Sequence, residues 1–176
     1  MTHRLATIIS RVFDPFLMLA VVFVVILSGS PAFVPAFFVM VVLPLVLFIF
    51  AWKTRRVSNW DVSDRRQRPK ILWTLVGIET MGTIAFQLWP VIPIIIVITV
   101  FTVITHFWKI SGHAMAAALA TGTLVAHYGF VWWPVLLVVG VVAWARVVRR
   151  DHTLAQVIAG ALYSWIVLFV LNNYFV

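Results

Sequence analysis

The chain of 176 residues is 64% hydrophobic and only 10% charged, with a mean hydropathy of +1.09. An ordinary soluble domain is about 45–50% apolar and about 25% charged, so a water-soluble globule, a disordered chain and a coiled coil are excluded and an all-α polytopic transmembrane bundle is expected. Thirteen Lys and Arg against five Asp and Glu leave a net charge of +8, and the lack of Cys excludes disulfides, thiolate metal ligands and a cysteine nucleophile.

A crossing needs about 20 mostly apolar residues. By that measure crossings run from about Phe13 to Gly29, Phe33 to Trp52, Ile71 to Leu88, Val91 to Trp108, His113 to Tyr128, Trp133 to Val148 and Thr153 to Tyr174. Several are short, so one pair could be re-entrant or tilted; seven crossings are expected, with six as the alternative. Ser28-Gly29-Ser30-Pro31, Pro90 with Pro93, and the stretch from Gly129 to Pro134 mark turns between them. Trp52, Trp89, Trp108, Trp132, Trp133 and Trp144 fall near predicted ends, where an indole prefers the interface. Pro44 lies within the second crossing and is expected to kink it. Arg11 and Asp14 directly precede the first apolar run, and no convincing small-residue cleavage site follows it, so it reads as a retained crossing. Residues 1–176 are expected to form a single integral-membrane domain, with His3 disordered at its start.

The basic residues gather at Arg4 and Arg11, at Lys53 to Lys70, at Lys109, and at Arg146 to Arg150, all on one side by the span count. The turns near residues 30, 90 and 131 carry no Lys or Arg. Three of these clusters can therefore meet at one membrane face.

The first is Asp61-x-x-Asp64-Arg65-Arg66-Gln67-Arg68-Pro69-Lys70. Pro69 suits the first turn of the following helix and is expected to hold Arg68 extended. A basic loop obeying the positive-inside rule is the plain reading of this run. The second is Ile110-Ser111-Gly112-His113, opening a helix rich in Ala. A Ser-Gly turn at a helix start offers N–H groups and the positive end of the dipole to an anion; a simple helix cap beside an interfacial His is the plain alternative. The third runs from Arg146 to Gln156. His152 and Gln156 are four apart and share a helix face, so the Gln156 carbonyl can accept from one imidazole N–H and leave the other nitrogen free to attack.

Together the three resemble the signature of the type 2 phosphatidic acid phosphatase superfamily, K-x6-R-P, then P-S-G-H, then S-R-x5-H-x3-D. Arg68-Pro69, Ser111-Gly112-His113, and Arg146 with His152 match in order and spacing. Asp61 stands in place of the Lys, Ile110 of the Pro, Ala145 of the Ser and Gln156 of the Asp. The resemblance covers residues 61–156. It implies hydrolysis of a lipid phosphate monoester or diphosphate without metal or cofactor. His152 would attack phosphorus to form a phosphohistidine, and His113 would serve as acid and then base. Gln156 would orient His152, while Arg68, Arg146, Ser111 and Gly112 hold the phosphoryl oxygens. Arg65 or Lys70 would replace the missing Lys charge. Isoprenyl phosphate or diphosphate, phosphatidic acid and phosphatidylglycerol phosphate all fit; the partners implied are that lipid and the bilayer, with no nucleic acid, and the number of copies is left open.

Two other readings stay open. Asp61-x-x-Asp64 beside Arg65 could hold Mg²⁺ on a diphosphate, as in membrane prenyltransferases, although no second Asp-rich loop accompanies it. A lipid-binding or transport protein could also keep the fold while losing the Lys and the Asp. Glu79, inside the third crossing, is a candidate partner of an active-site Arg or His. His106 reads as interfacial, and His127 lies toward the opposite face. Clustered Lys and Arg mark the cytoplasmic side, so the site is expected to face the cytoplasm of a bacterial or archaeal cell membrane.

Overall fold

A computed structural model describes residues 1–171. Among them all regular structure is helical, in the order α1 (Thr2–Val12), α2 (Pro15–Leu27), α3 (Phe33–Phe37), α4 (Leu43–Lys53), α5 (Arg68–Phe86), α6 (Ile92–Phe107), α7 (Gly112–Tyr128), α8 (Leu137–Val148) and α9 (Leu154–Val170). Four stretches are long and apolar enough to cross a membrane: Thr2–Leu27, Phe33–Lys53, Trp89–Phe107 and Phe130–Val148. The chain is accordingly a helical membrane protein. The last crossing expected from the sequence reaches Tyr174; its end lies outside the described residues.

Helix α7 occupies the centre. Residues Ala114 to Ala120 are all buried, and the helix packs against α2, α8 and α9. Small side chains let backbones approach closely where lipid gives no hydrophobic drive between helices. The main core lies where Leu19, Val22 and Phe23 of α2 meet Ile94, Val97, Ile98 and Phe101 of α6, with Met115 and Leu119 of α7. Outward-facing Val46, Phe50, Ile84, Val103, Leu162 and Ile166 are exposed, as lipid-facing side chains are.

The structure departs from the sequence reading at three places. The first concerns α1: residues 2–12, including His3, form a helix packed on α8, with Ala6 and Ser10 buried. Its mean hydropathy is too low for a crossing, because its apolar residues are confined to one face. The second concerns Pro44. It cannot donate an N–H to the turn before it, and that turn widens to a π-helix over Phe38–Val42, in which Leu43 N–H reaches the Phe38 carbonyl. The third concerns Arg68, which is αR at φ −61° and ψ −47° and not extended. A 3₁₀ turn at Arg65–Gln67 feeds directly into α5, and two hydrogen bonds from the Arg68 guanidinium fix that entry.

Candidate active site

The three sequence clusters converge at one end of the bundle, tied together by hydrogen bonds. Arg68 Nε donates to the Val62 carbonyl at 2.8 Å and Arg68 Nη1 to the Ile110 carbonyl at 3.0 Å. Lys109 Nζ donates to the Asp151 carbonyl at 3.2 Å. Ser111 N–H donates to the Gln156 carbonyl at 3.1 Å, drawing the start of α7 against α9. That approach needs Gly160: a Cβ there would lie 2.7 Å from the Ser111 carbonyl oxygen.

The turn between α8 and α9 follows from its own residues. Arg150 adopts φ 59° and reverses the chain, while Asp151 N–H and His152 N–H both return to the Arg146 carbonyl, at 3.1 and 3.4 Å. The five-residue gap between Arg146 and His152 is thus one closed turn. Thr153 then caps α9 in a capping box. Its hydroxyl accepts from Gln156 N–H at 3.4 Å, and Gln156 Oε1 accepts from Thr153 N–H at 3.0 Å. The same Oε1 lies 3.3 Å from His152 Nδ1. Since a backbone donor identifies that atom as the oxygen, Nδ1 carries the proton and Nε2 keeps its lone pair. Burial, then Arg68, Arg146 and Lys109, push the His152 imidazole down from 6.5 to about 3, against the Gln156 bond, so the ring is neutral at neutral pH.

His113 sits in the first turn of α7, behind the Ser111 cap, whose hydroxyl accepts from Ala114 N–H at 3.3 Å. His113 Nε2 donates to the Ser10 carbonyl of α1 at 3.2 Å. A Cβ on Gly112 would press on the Phe101 ring at 3.3 Å, so the ring would have to give by a few tenths of an ångström.

Two carboxylates balance the cations. Arg146 is 1% exposed; its Nη1 lies 3.4 Å from Asp61 Oδ1 and its Nη2 3.1 Å from Asp151 Oδ2. Arg149 reaches Asp61 at 2.8 Å and Asp151 at 2.9 Å. Burying an unpaired guanidinium costs several kcal/mol, so these partners are what allow Arg146 inside. Burial alone would raise the Asp61 carboxyl, but Arg146, His113 and Arg149 hold it below its ordinary value. The loop carrying Asp61 is anchored at Trp60, whose Nε1 donates to Asp14 at 2.6 Å and whose ring meets Phe48 and Trp52 edge-on. Val62 in that loop takes φ 43°, a conformation a β-branched residue tolerates only when held. The Arg68 bond to its carbonyl holds it.

These groups open into one cavity of about 510 Å³. Its polar end is lined by Asp61, Arg66, Arg68, Lys70, Gly112, His113, Arg146 and His152. The rest of its lining is mostly apolar, with Leu19 of α2, Pro44 and Leu47 of α4, Leu75 and Ile78 of α5, and Ile98 of α6, beside Asp14, Arg56, Gln67 and Thr74.

Not every residue singled out in the sequence reaches it. Arg65 donates to the His106 carbonyl and does not line the cavity. Ser111 is fully buried and serves as a cap. Gln156 stands behind His152 and does not line the cavity itself. Asp64 caps the turn at Arg66 N–H while Asp61 faces the arginines, so the two carboxylates do not converge as a metal pair. Glu79 is fully buried on α5, lines no part of the cavity and has no hydrogen-bond partner among the described residues. His106 accepts from Trp73 Nε1 at the exposed end of α6, and His127 meets Tyr128 edge-on at the far end of α7. The sequence reading placed Lys109 and Arg149 at this face without a role, and missed Ser10, Asp14, Trp60 and Gly160. Thr-x-x-Gln ahead of an apolar run was a legible capping signal; the Ser10 contact had none.

Comparison of the chain with models of known families, with curated proteins and with solved structures finds no match in any of the three.

Proposed function

We propose that the chain is a metal-independent lipid phosphate phosphatase acting through a phosphohistidine. The observation that supports this reading most is one cavity lined both by two histidines with two buried arginines and by a mostly apolar wall. A phosphate headgroup matches the first and a hydrocarbon tail the second. Guanidinium groups stay charged and meet phosphoryl oxygens in pairs.

In this reading the free Nε2 of His152 attacks phosphorus. A P–N bond forms as the P–O bond to the lipid breaks, and protonated His113 gives its proton to the leaving oxygen. Water then attacks phosphorus and gives a proton back to His113. The P–N bond breaks, inorganic phosphate leaves and His152 is restored. Arg68 and Arg146 stabilise the charge on the phosphoryl oxygens throughout. Phosphatidic acid, phosphatidylglycerol phosphate and isoprenyl phosphates or diphosphates are the candidate lipids.

For the membrane arrangement we take α5, α7 and α9 as crossings beside α2, α3 with α4, α6 and α8. That gives seven crossings, with six as the alternative. At 1.5 Å per residue the 17 residues of α7 rise about 26 Å, and the central packing of the helix suits a crossing that need not meet lipid.

A specific observation favours a second reading. Asp61 stands among the arginines where the resembled family has a Lys, as expected of a lipid-phosphate-binding protein without turnover. Release of inorganic phosphate from the candidate lipids by purified protein in detergent, with and without EDTA and vanadate, separates the two. Vanadate-sensitive, EDTA-resistant release supports the phosphatase. No release from any of these lipids, with vanadate still bound, supports the binding protein.

A further inference from the structure

The carboxylate of Asp61 stands where an anion would have to bind. Its Oδ1 lies 3.4 Å from Arg146 Nη1 and 3.8 Å from His113 Nε2, and its Oδ2 lies 2.8 Å from Arg149 Nη2. It lines the same cavity end as His152 and Arg68. Arg146 Nε, buried in that end, has no acceptor among the described residues. Asp151 takes Arg146 Nη2 and Arg149 Nε from the other side, and Asp61 thus uses only part of the donors that remain. We propose that Asp61 is an internal counter-anion that fills the anion subsite of the empty protein, and that an incoming phosphate must displace it. This rests on the proposal that the cavity binds lipid phosphate.

The consequence is a charge threshold. A phosphate monoester or diphosphate brings two or more negative charges and four or more acceptor oxygens, and outcompetes a carboxylate for the same guanidinium groups. A phosphodiester brings one charge and gains little over the resident carboxylate. Bilayers are built of phosphodiester lipids, and an uncompensated cationic pocket at their headgroup level would fill with them. The loop can give way, because Asp61 is held by ion pairs on one side and by the strained Val62 on the other. Trp60 remains tied to Asp14 as the pivot.

Calorimetric titration of the purified full chain in detergent at about pH 8 tests this, with inorganic phosphate as the dianion and dimethyl phosphate as the monoanion. Asp61→Asn is expected to bind inorganic phosphate at least about tenfold more tightly than the natural chain. It should also bind dimethyl phosphate, which the natural chain should not. Because the chain has no other Cys, Asp61→Cys supplies a second variant. Capped with a neutral methylthio group it should match Asp61→Asn, and capped with a sulfonatoethylthio group it should return to weak binding. Neutral variants that bind both anions no more tightly than the natural chain overturn the proposal. Phosphate release from lipid, measured alongside, is independent. Tighter binding without release keeps the counter-anion and overturns the phosphatase, whereas release without tighter binding does the reverse.

Discussion

His152 and His113 line one cavity from different helices, and each has one ring nitrogen committed to a neighbour: Gln156 Oε1 for the first, the Ser10 carbonyl for the second. A nucleophile and a positioned acid each contribute about 10²–10⁴-fold or more. His152→Ala is therefore expected to abolish phosphate release, and His113→Ala to lower it at least about a hundredfold for a lipid alkoxide leaving group. Circular dichroism in detergent should show both variants folded. Near-normal release from both would remove the assignment.

Gln156 carries two duties, and substitutions separate them. Gln156→Ala loses both the cap on α9 and the orientation of His152, so stability and rate should fall together, the cap alone being worth about 1 kcal/mol. Gln156→Glu keeps both geometries and adds a negative charge beside Nδ1, which raises the imidazole from its value of about 3. The neutral ring is the nucleophile, so activity is present above that pKa and is lost as pH falls through it. The natural chain should show no acid limb from His152 in kcat/KM between about pH 5 and 8, whereas Gln156→Glu should bring one up toward that window. An identical pH profile for the two would mean that Gln156 is a cap alone. The orientation of His152 by Gln156 was legible from their spacing of four. The capping box that the same oxygen closes with Thr153 was not read, because the two donors meet at it only in the turn from Arg146.

At the scale of elements, the site depends on α7 and α9 meeting closely at their N-terminal ends. Gly160 makes that possible, and Gly160→Ala should force a Cβ toward the Ser111 carbonyl oxygen, 2.7 Å away in the present packing. That contact is backbone and cannot rotate aside. A loss of about 1–3 kcal/mol is expected from such overpacking, together with a drop in anion binding as the Ser111–Gln156 hydrogen bond lengthens. Gly77→Ala on α5 is the matched control, since its added Cβ meets nothing within 4 Å. It should be neutral or stabilising, by up to about 1 kcal/mol from helix propensity. Thermal unfolding in detergent measures both, and equal effects would discount the close approach. The apolar runs showed where the helices lie because lipid demands some 20 apolar residues. They could not show α1, which buries Ala6 and Ser10 while Leu5, Ile8 and Val12 stay exposed, and whose Ser10 carbonyl reaches His113. The widened turn before Pro44 was half visible: the proline announced a break in the ladder, but nothing in the sequence showed that the break takes the form of a π turn.

At the scale of the whole molecule, the basic residues that converge on the cavity share their face with others that serve no site. Setting aside Arg68, Arg146, Arg65 and Lys70, also Arg56 and Arg66, which line the cavity, and Lys109 and Arg149, which touch the cluster, leaves Arg4, Arg11, Lys53, Arg55 and Arg150 on that side. The turns at the other end of the bundle carry none. The asymmetry therefore does not depend on the phosphate chemistry, and a cytoplasm-facing site is expected from the preference of Lys and Arg for that side. The helix Phe33–Lys53 separates Gly29 from Ser58 whether the chain crosses six times or seven. Both positions are exposed, and the chain lacks Cys. In cells expressing Gly29→Cys or Ser58→Cys, an impermeant maleimide should label the first in intact cells and the second only after the membrane is opened. The opposite pattern would turn the cavity outward and make its substrate a lipid phosphate of the outer leaflet.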